Sequence, residues 1–128
     1  MILHRQYKIT PLALEKMKAH LAGSYPQEGC GILAGDDTGS IEEVFSAVNR
    51  SAKERSAGHY EIHPLTLYEL ERKAEEEGYR ILGFYHSHPD CTAKISSEDS
   101  EYMIPHMLYV IASVHNGKCG EIRGYVKD

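Results

Sequence analysis

Tyr85-His86-Ser87-His88-Pro89, followed after a seven-residue spacer from His88 by Ser96-Ser97-Glu98-Asp99, is the stretch from which the chain is best read. The apolar run Arg80-Ile81-Leu82-Gly83-Phe84-Tyr85 ahead of it reads as a buried strand. Residues i and i+2 of a strand share a face, so His86 and His88 can meet one ion. Pro89 and Asp90 then turn the chain into a loop, and Ser96 predicts the N-cap of a helix over 97–103. Asp99 in that helix's first turn adds a carboxylate. Imidazole and carboxylate both suit zinc, whose catalytic sites typically keep three protein ligands and one water. Each piece also has an ordinary structural meaning. Ser-x-x-Asp resembles a capping box with Asp in place of Glu or Gln, and a lone His-x-His is a weak signal. Taken together they favour a metal.

Working outward, residues 2–9 read as a first strand, and Thr10 caps a helix with Pro11 at its first position. Leu12, Leu14, Met17 and Leu21 are its expected apolar face, His20 a surface position and Gly23 its end. Glu28-Gly29-Cys30-Gly31-Ile32-Leu33-Ala34-Gly35 opens a strand, and the turn Asp36-Asp37-Thr38-Gly39 sends the chain back over 41–48. A polar loop over 49–58 carries Arg50, Lys53 and Arg55. It is read as a solvated loop in preference to a docking surface for an acidic partner. Tyr60-Glu61-Ile62 is a short strand. Pro64 opens a periodic helix to about residue 77, with Leu65, Leu67, Leu70 and Ala74 inward and Gly78 at its end. Residues 107–114 form a buried strand, and Asn116-Gly117 carries the hairpin signal into a last strand over 120–126. The order implies one α/β domain over 1–128, a mixed, mostly antiparallel sheet flanked by helices.

Composition excludes several classes. The 128 residues are 41% hydrophobic and 26% charged, as in a soluble globular domain with a real core. A net charge of −5, without a basic patch, argues against nucleic acid. The apolar run over 107–114 is far short of a membrane span of about 20 residues. No apolar segment of signal-peptide type follows Met1. Cys30, Cys91 and Cys119 are an odd count without a Cys-x-x-Cys pair, which points to a reducing cytoplasm.

His86-Ser87-His88, the spacer and Ser96-x-x-Asp99, with Glu28 far upstream at the start of a Gly-rich strand, resemble the JAMM motif of the JAB/MPN+ metalloprotease family. The resemblance covers nearly the whole chain, with Tyr60-Glu61-Ile62-His63-Pro64 and Leu82-Gly83-Phe84-Tyr85 as further landmarks. It implies the JAB/MPN, cytidine-deaminase-like fold and one Zn²⁺ per chain, held by His86, His88 and Asp99 with a bound water. It also assigns Glu28 as general base and acid, and Ser96 as the donor to the oxyanion. Spacing alone leaves Glu28, Glu42, Glu43 and Glu61 equally open as the base; the resemblance selects Glu28. The implied reaction is hydrolysis of the peptide or isopeptide bond after the C-terminal Gly-Gly of ubiquitin or a small β-grasp relative. The chain has no room for the long insertions by which eukaryotic members grip two ubiquitins. Its compact form is similar to bacterial and archaeal members that act on sulfur-carrier proteins, so the expected partner is a ubiquitin-like or sulfur-carrier β-grasp protein.

Rival readings fare worse. The metallo-β-lactamase signature His-x-His-x-Asp-His would place a histidine at Cys91, and cupins would place a glutamate at Thr92 or Ala93. Zinc deaminases need Pro-Cys-x-x-Cys, which is absent. Cys91 as a fourth ligand would close the site into a structural one. A non-catalytic MPN-like scaffold remains the alternative from a different class. Such scaffolds usually lack a ligand, whereas His86, His88 and Asp99 all stand here.

Overall fold

The computed structural model describes residues 1–47 and 62–127. The basic loop over 49–58, and Tyr60 and Glu61 of the expected short strand, lie outside the described residues; Ile62 is not in a strand. The elements are β1 (Ile2–His4), β2 (Tyr7–Ile9), α1 (Pro11–Ser24), β3 (Cys30–Gly35), β4 (Ser40–Ala47), α2 (Pro64–Glu76), β5 (Arg80–Pro89), α3 (Ser97–Glu101), β6 (Leu108–His115) and β7 (Lys118–Val126). One seven-stranded sheet runs β1-β2-β4-β3-β5-β6-β7. The β2–β4 and β5–β6 pairs are parallel and the other four antiparallel, so the sheet is mixed and mostly antiparallel.

The expected first strand is two strands, because the chain turns at Arg5-Gln6 and pairs Ile2 with Lys8. The sheet then curls until β1 meets β7. Gly124 permits this: a Cβ there would lie 2.3 Å from the Leu3 carbonyl oxygen. The last hairpin turns at Asn116 and Gly117, with φ of 51° and 76°, the left-handed pair that an Asn-Gly turn supplies.

The helices cover opposite faces. In α1, Thr10 Oγ1 accepts from the Ala13 amide at 3.3 Å, and Ala13, Met17 and Leu21 are buried against Leu33, Ile41, Tyr85 and Val110. That spacing of four turns Leu12 outward, at 85% exposed, and leaves Leu14 half-buried, which corrects the expected apolar face. Gly23 lies within the helix, which closes at Tyr25. In α2, Leu70 and Ala74 are buried, with Leu67 packed nearby, whereas Leu65 is 66% exposed, again against expectation. The His63 imidazole caps α2, accepting from the Leu65 amide at 3.0 Å.

A bulge in β5 decides which face carries the residues after it. Leu33 pairs with Gly83 but Ala34 pairs with Ile81, so Leu82 is an extra residue. Ile81 and Phe84, three apart, therefore share the α2 face, while Leu82 and Tyr85 join the α1 core. Beyond the bulge alternation resumes, and His86 and His88 emerge on the α2 side with Phe84.

Candidate metal centre

As expected, β5 carries both histidines near its end, running through them to Pro89 in the middle of the sheet. His86 pairs with Cys30 of β3 on one side and Ile111 of β6 on the other, and His88 lies beside Ser113. A central strand hydrogen-bonded on both edges gives the two imidazoles a rigid base. Both are buried, at 1% and 6% exposed. Asp99 arrives from α3, a helix that ends at Glu101 and so is shorter than expected.

Three atoms converge. His86 Nε2 and His88 Nε2 are 3.3 Å apart, and Asp99 Oδ2 is 3.1 Å from each. Zinc holds nitrogen and oxygen ligands at about 2.0–2.1 Å, and a tetrahedron of that size has edges of about 3.3 Å. The separations therefore fit three corners of a tetrahedral site. His88 Nδ1 lies 2.9 Å from the Thr92 carbonyl oxygen, to which it donates. That fixes the tautomer that turns Nε2 toward a cation, a common device in metal sites. Cys91 is exposed, and among the described residues it is not part of this ligand group.

The charges match the geometry. Burial pushes the His86 imidazole below the ordinary histidine range, outweighing its hydrogen bond to Asp99. Burial acts the same way on His88, but hydrogen bonds to Asp99 and Thr92 and the Asp99 charge outweigh it and hold that group above its ordinary value. Burial would raise Asp99; its hydrogen bonds to the two imidazoles reverse this and keep the carboxyl well below the usual range. A divalent cation that takes two imidazoles and this carboxylate displaces any proton they hold.

Glu28 comes from the segment just before β3 and is 6% exposed. Ser87 and Gly29 bind each other twice: the Gly29 amide donates to Ser87 Oγ at 2.9 Å, and the Ser87 amide to the Gly29 carbonyl at 3.0 Å. This continues the Cys30–His86 register by one residue and sets Glu28 beside His88, with Glu28 Oε1 3.9 Å from His86 Nε2. Neighbouring Cys30 is buried, and burial together with the Glu28 charge pushes its thiol up to about 12. Its neutral Sγ donates to the Ala47 carbonyl. Ser96 is half-buried, and its Oγ accepts from the Asp99 amide at 3.0 Å, the capping bond that its spacing suggested.

Sequence reasoning missed the Thr92 carbonyl and the Ser87 clamp. Neither has a signal in residue type. The strand register would have found the clamp, because it also separates Glu28 from Glu42 and Glu43. His20, expected at the surface, is half-buried with Nδ1 2.8 Å from the Tyr85 hydroxyl, on the sheet face opposite the histidine pair.

Residues 11–124 match the model of the prokaryotic homologs of the JAB domain. The chain is 36% identical over 94 residues to a desampylase of Haloferax volcanii, spanning 72% of this chain and 66% of that protein. It is 32% identical over 99 residues to a probable TtuB-protein conjugate cleaving protease of Thermus thermophilus, spanning 75% and 64%. The chain thus covers slightly less than two thirds of these relatives' own length. Among solved structures, a Salinibacter ruber protein superposes with a TM-score of 0.71 at 35% identity, covering 93% of this chain and 80% of that one. A JAB1/MPN domain protein of Archaeoglobus fulgidus shares the fold, with a TM-score of 0.53 at 17% identity, covering 94% of this chain and 98% of that one. With the family model matched over residues 11–124 of the 128 and the JAB/MPN architecture around His86, His88 and Asp99, the chain belongs to the prokaryotic JAB-domain family.

Proposed function

We propose that the chain is a zinc-dependent isopeptidase or peptidase that cuts after the C-terminal Gly-Gly of a ubiquitin-like β-grasp protein. The observation that carries this reading is three ligand atoms 3.1–3.3 Å apart with a buried carboxylate, Glu28, 3.9 Å from one of them. His86, His88 and Asp99 would hold the ion. When bound, zinc with three protein ligands brings the pKa of a water to about 7 and polarises a carbonyl.

Glu28 is then the base that takes the proton of the attacking water and the acid that passes it to the departing amine. Its burial excludes bulk water from that transfer. Ser96 Oγ uses a lone pair for the Asp99 amide, which leaves its own proton available for the oxyanion. A slender tail suits a carbonyl carbon that must reach side chains no more than 7% exposed, and glycine is the most slender residue.

The relatives named for desampylation and for cleaving TtuB-protein conjugates support a protein conjugate as the substrate class. Within that class we favour sulfur carriers, as the compact family members do. Among the described residues no helix is long and apolar enough to cross a membrane. Three free thiols support a reducing cytoplasm as the place of action.

The test is cleavage followed by intact mass. Zinc-loaded protein and its Glu28→Gln variant would be mixed with β-grasp carriers bearing extensions after Gly-Gly. Release directly after the second glycine by the unmodified protein alone is the expected result. No cutting of any carrier by a zinc-replete protein would sink the peptidase reading in favour of a scaffold.

A further inference from the structure

The three ligands are not supported alike. His86 and His88 sit on a strand, but Ser96 ends the loop over 90–96 and Asp99 lies in a helix of only five residues. A helix that short does not hold itself together, since nucleation costs more than one turn returns. Something else must set this segment against the histidines.

The loop is fastened to β7. Tyr125 Oη donates to the Ala93 carbonyl at 2.9 Å and accepts from the Ile95 amide at 3.2 Å. One hydroxyl thus closes two backbone groups of the same turn, with donor and acceptor used in the only consistent way. The Ala93 amide donates to Glu121 Oε1 at 3.2 Å, and Glu121 is itself held by Arg123 at 2.7 Å. The Glu121 amide donates to Ser113 Oγ, and Ser113 is the β6 residue beside His88. Ala93 is fully buried under this latch. Its neighbour Thr92 supplies the carbonyl that orients His88. Ile95 leads directly into Ser96, which caps Asp99.

We infer that Tyr125, with Glu121, is a positioning residue for the metal centre. It holds the turn over 92–95, so that the Thr92 carbonyl meets His88 Nδ1 while Asp99 Oδ2 meets both Nε2 atoms. The inference rests on the metal reading of the site. It goes beyond that reading by assigning the placement of the third ligand to a residue of the last strand, 26 positions after Asp99 in the sequence.

Tyr125→Phe keeps the ring in its packing and removes the hydroxyl. The zinc affinity of the folded protein, measured by competition with a chelator, is expected to fall about 10-fold, the lower end for outer partners of metal ligands. Backbone amide exchange at Ile95 should quicken. Ile122→Ala, on the same strand but half-buried against the core of the opposite sheet face, serves as the control. It should lower the melting temperature without moving zinc affinity. Equal zinc affinity in Tyr125→Phe and the unmodified protein would overturn the inference and leave the metal reading intact. A parallel loss of affinity in Ile122→Ala would also overturn it, because general loosening would then explain the effect. Failure of the unmodified protein to bind zinc would instead overturn the metal reading, and this inference with it.

Discussion

The two faces of the sheet are built for different ends. Among the described residues, the α1 face gathers fourteen buried apolar side chains into one cluster, including Met17, Leu21, Leu33, Tyr85 and Val110. The α2 face gathers five, and beyond Phe84 its buried residues include Glu28, His86 and His88. One face supplies burial, worth about 25 cal/mol per Å² of apolar surface. The other removes polar groups from water, which costs stability unless a ligand or hydrogen bond satisfies them. Alternating residues of a single strand serve both: Tyr85 and Ser87 face α1, while His86 and His88 face the site.

That contrast can be broken or sharpened by experiment. The largest effect is expected on the polar face. Glu28→Gln should lower kcat by roughly 10²–10⁴, the span of a lost general base, while zinc content and melting temperature hold or rise. A variant that still turned over at the original rate would remove Glu28 from the chemistry.

Ser96→Ala comes next and has two separable signatures. Loss of an oxyanion donor should reduce kcat by about 10²–10³, and loss of the cap should cost about 1 kcal/mol of stability. Rate measurements and denaturant titration read them independently. A stability loss with unchanged kcat would leave Ser96 as a cap and nothing more.

On the apolar face Met17→Ala should cost about 2–5 kcal/mol in denaturant unfolding and leave the kcat of the folded fraction intact. A change in kcat without loss of stability would show that the two faces are not separable.

A smaller effect concerns pH. Burial lowers the His20 pKa below its ordinary value, so folding favours the neutral ring. Its contribution is present above the unfolded value of about 6.5 and is lost as pH falls through it toward the folded value. His20→Gln should therefore flatten the decline in stability between about pH 7 and 5. An unchanged slope would show that His20 does not titrate with unfolding. Smallest of all, Leu12→Ser should move stability by no more than about 0.5 kcal/mol, because Leu12 already faces solvent.

Much of this was legible from residue order. Thr10-Pro11, Asn116-Gly117 and Gly78 mark their boundaries through local backbone preferences that tertiary packing did not override. Helix faces were read less well: a count of leucines placed Leu12 and Leu65 inward, where the packed rows run through Ala13, Met17 and Leu21 and through Leu70 and Ala74. Alanine packs closely but carries little weight in a hydrophobic pattern. The hairpin of β1 and β2 was missed because Arg5-Gln6 has no Gly, Asn or Pro to mark a turn.

For the site, the sequence by itself determined which side chains are there to hold an ion. His-x-His on a strand and a carboxylate in a helix's first turn are properties of residue type and local period. Which glutamate stands beside them was not contained in that pattern, because it depends on the pairing of β3 with β5. The bulge at Leu82 is likewise invisible locally. It shifts the alternation by one and so decides that the histidines emerge toward α2, away from the main core. Tyr125 reaches Ala93 and Ile95 only because β6 pairs with β5 and β7 turns back along β6. Spacing along a chain sets what a segment can bind, whereas register and curl of the sheet set which distant residues stand within a hydrogen bond of it.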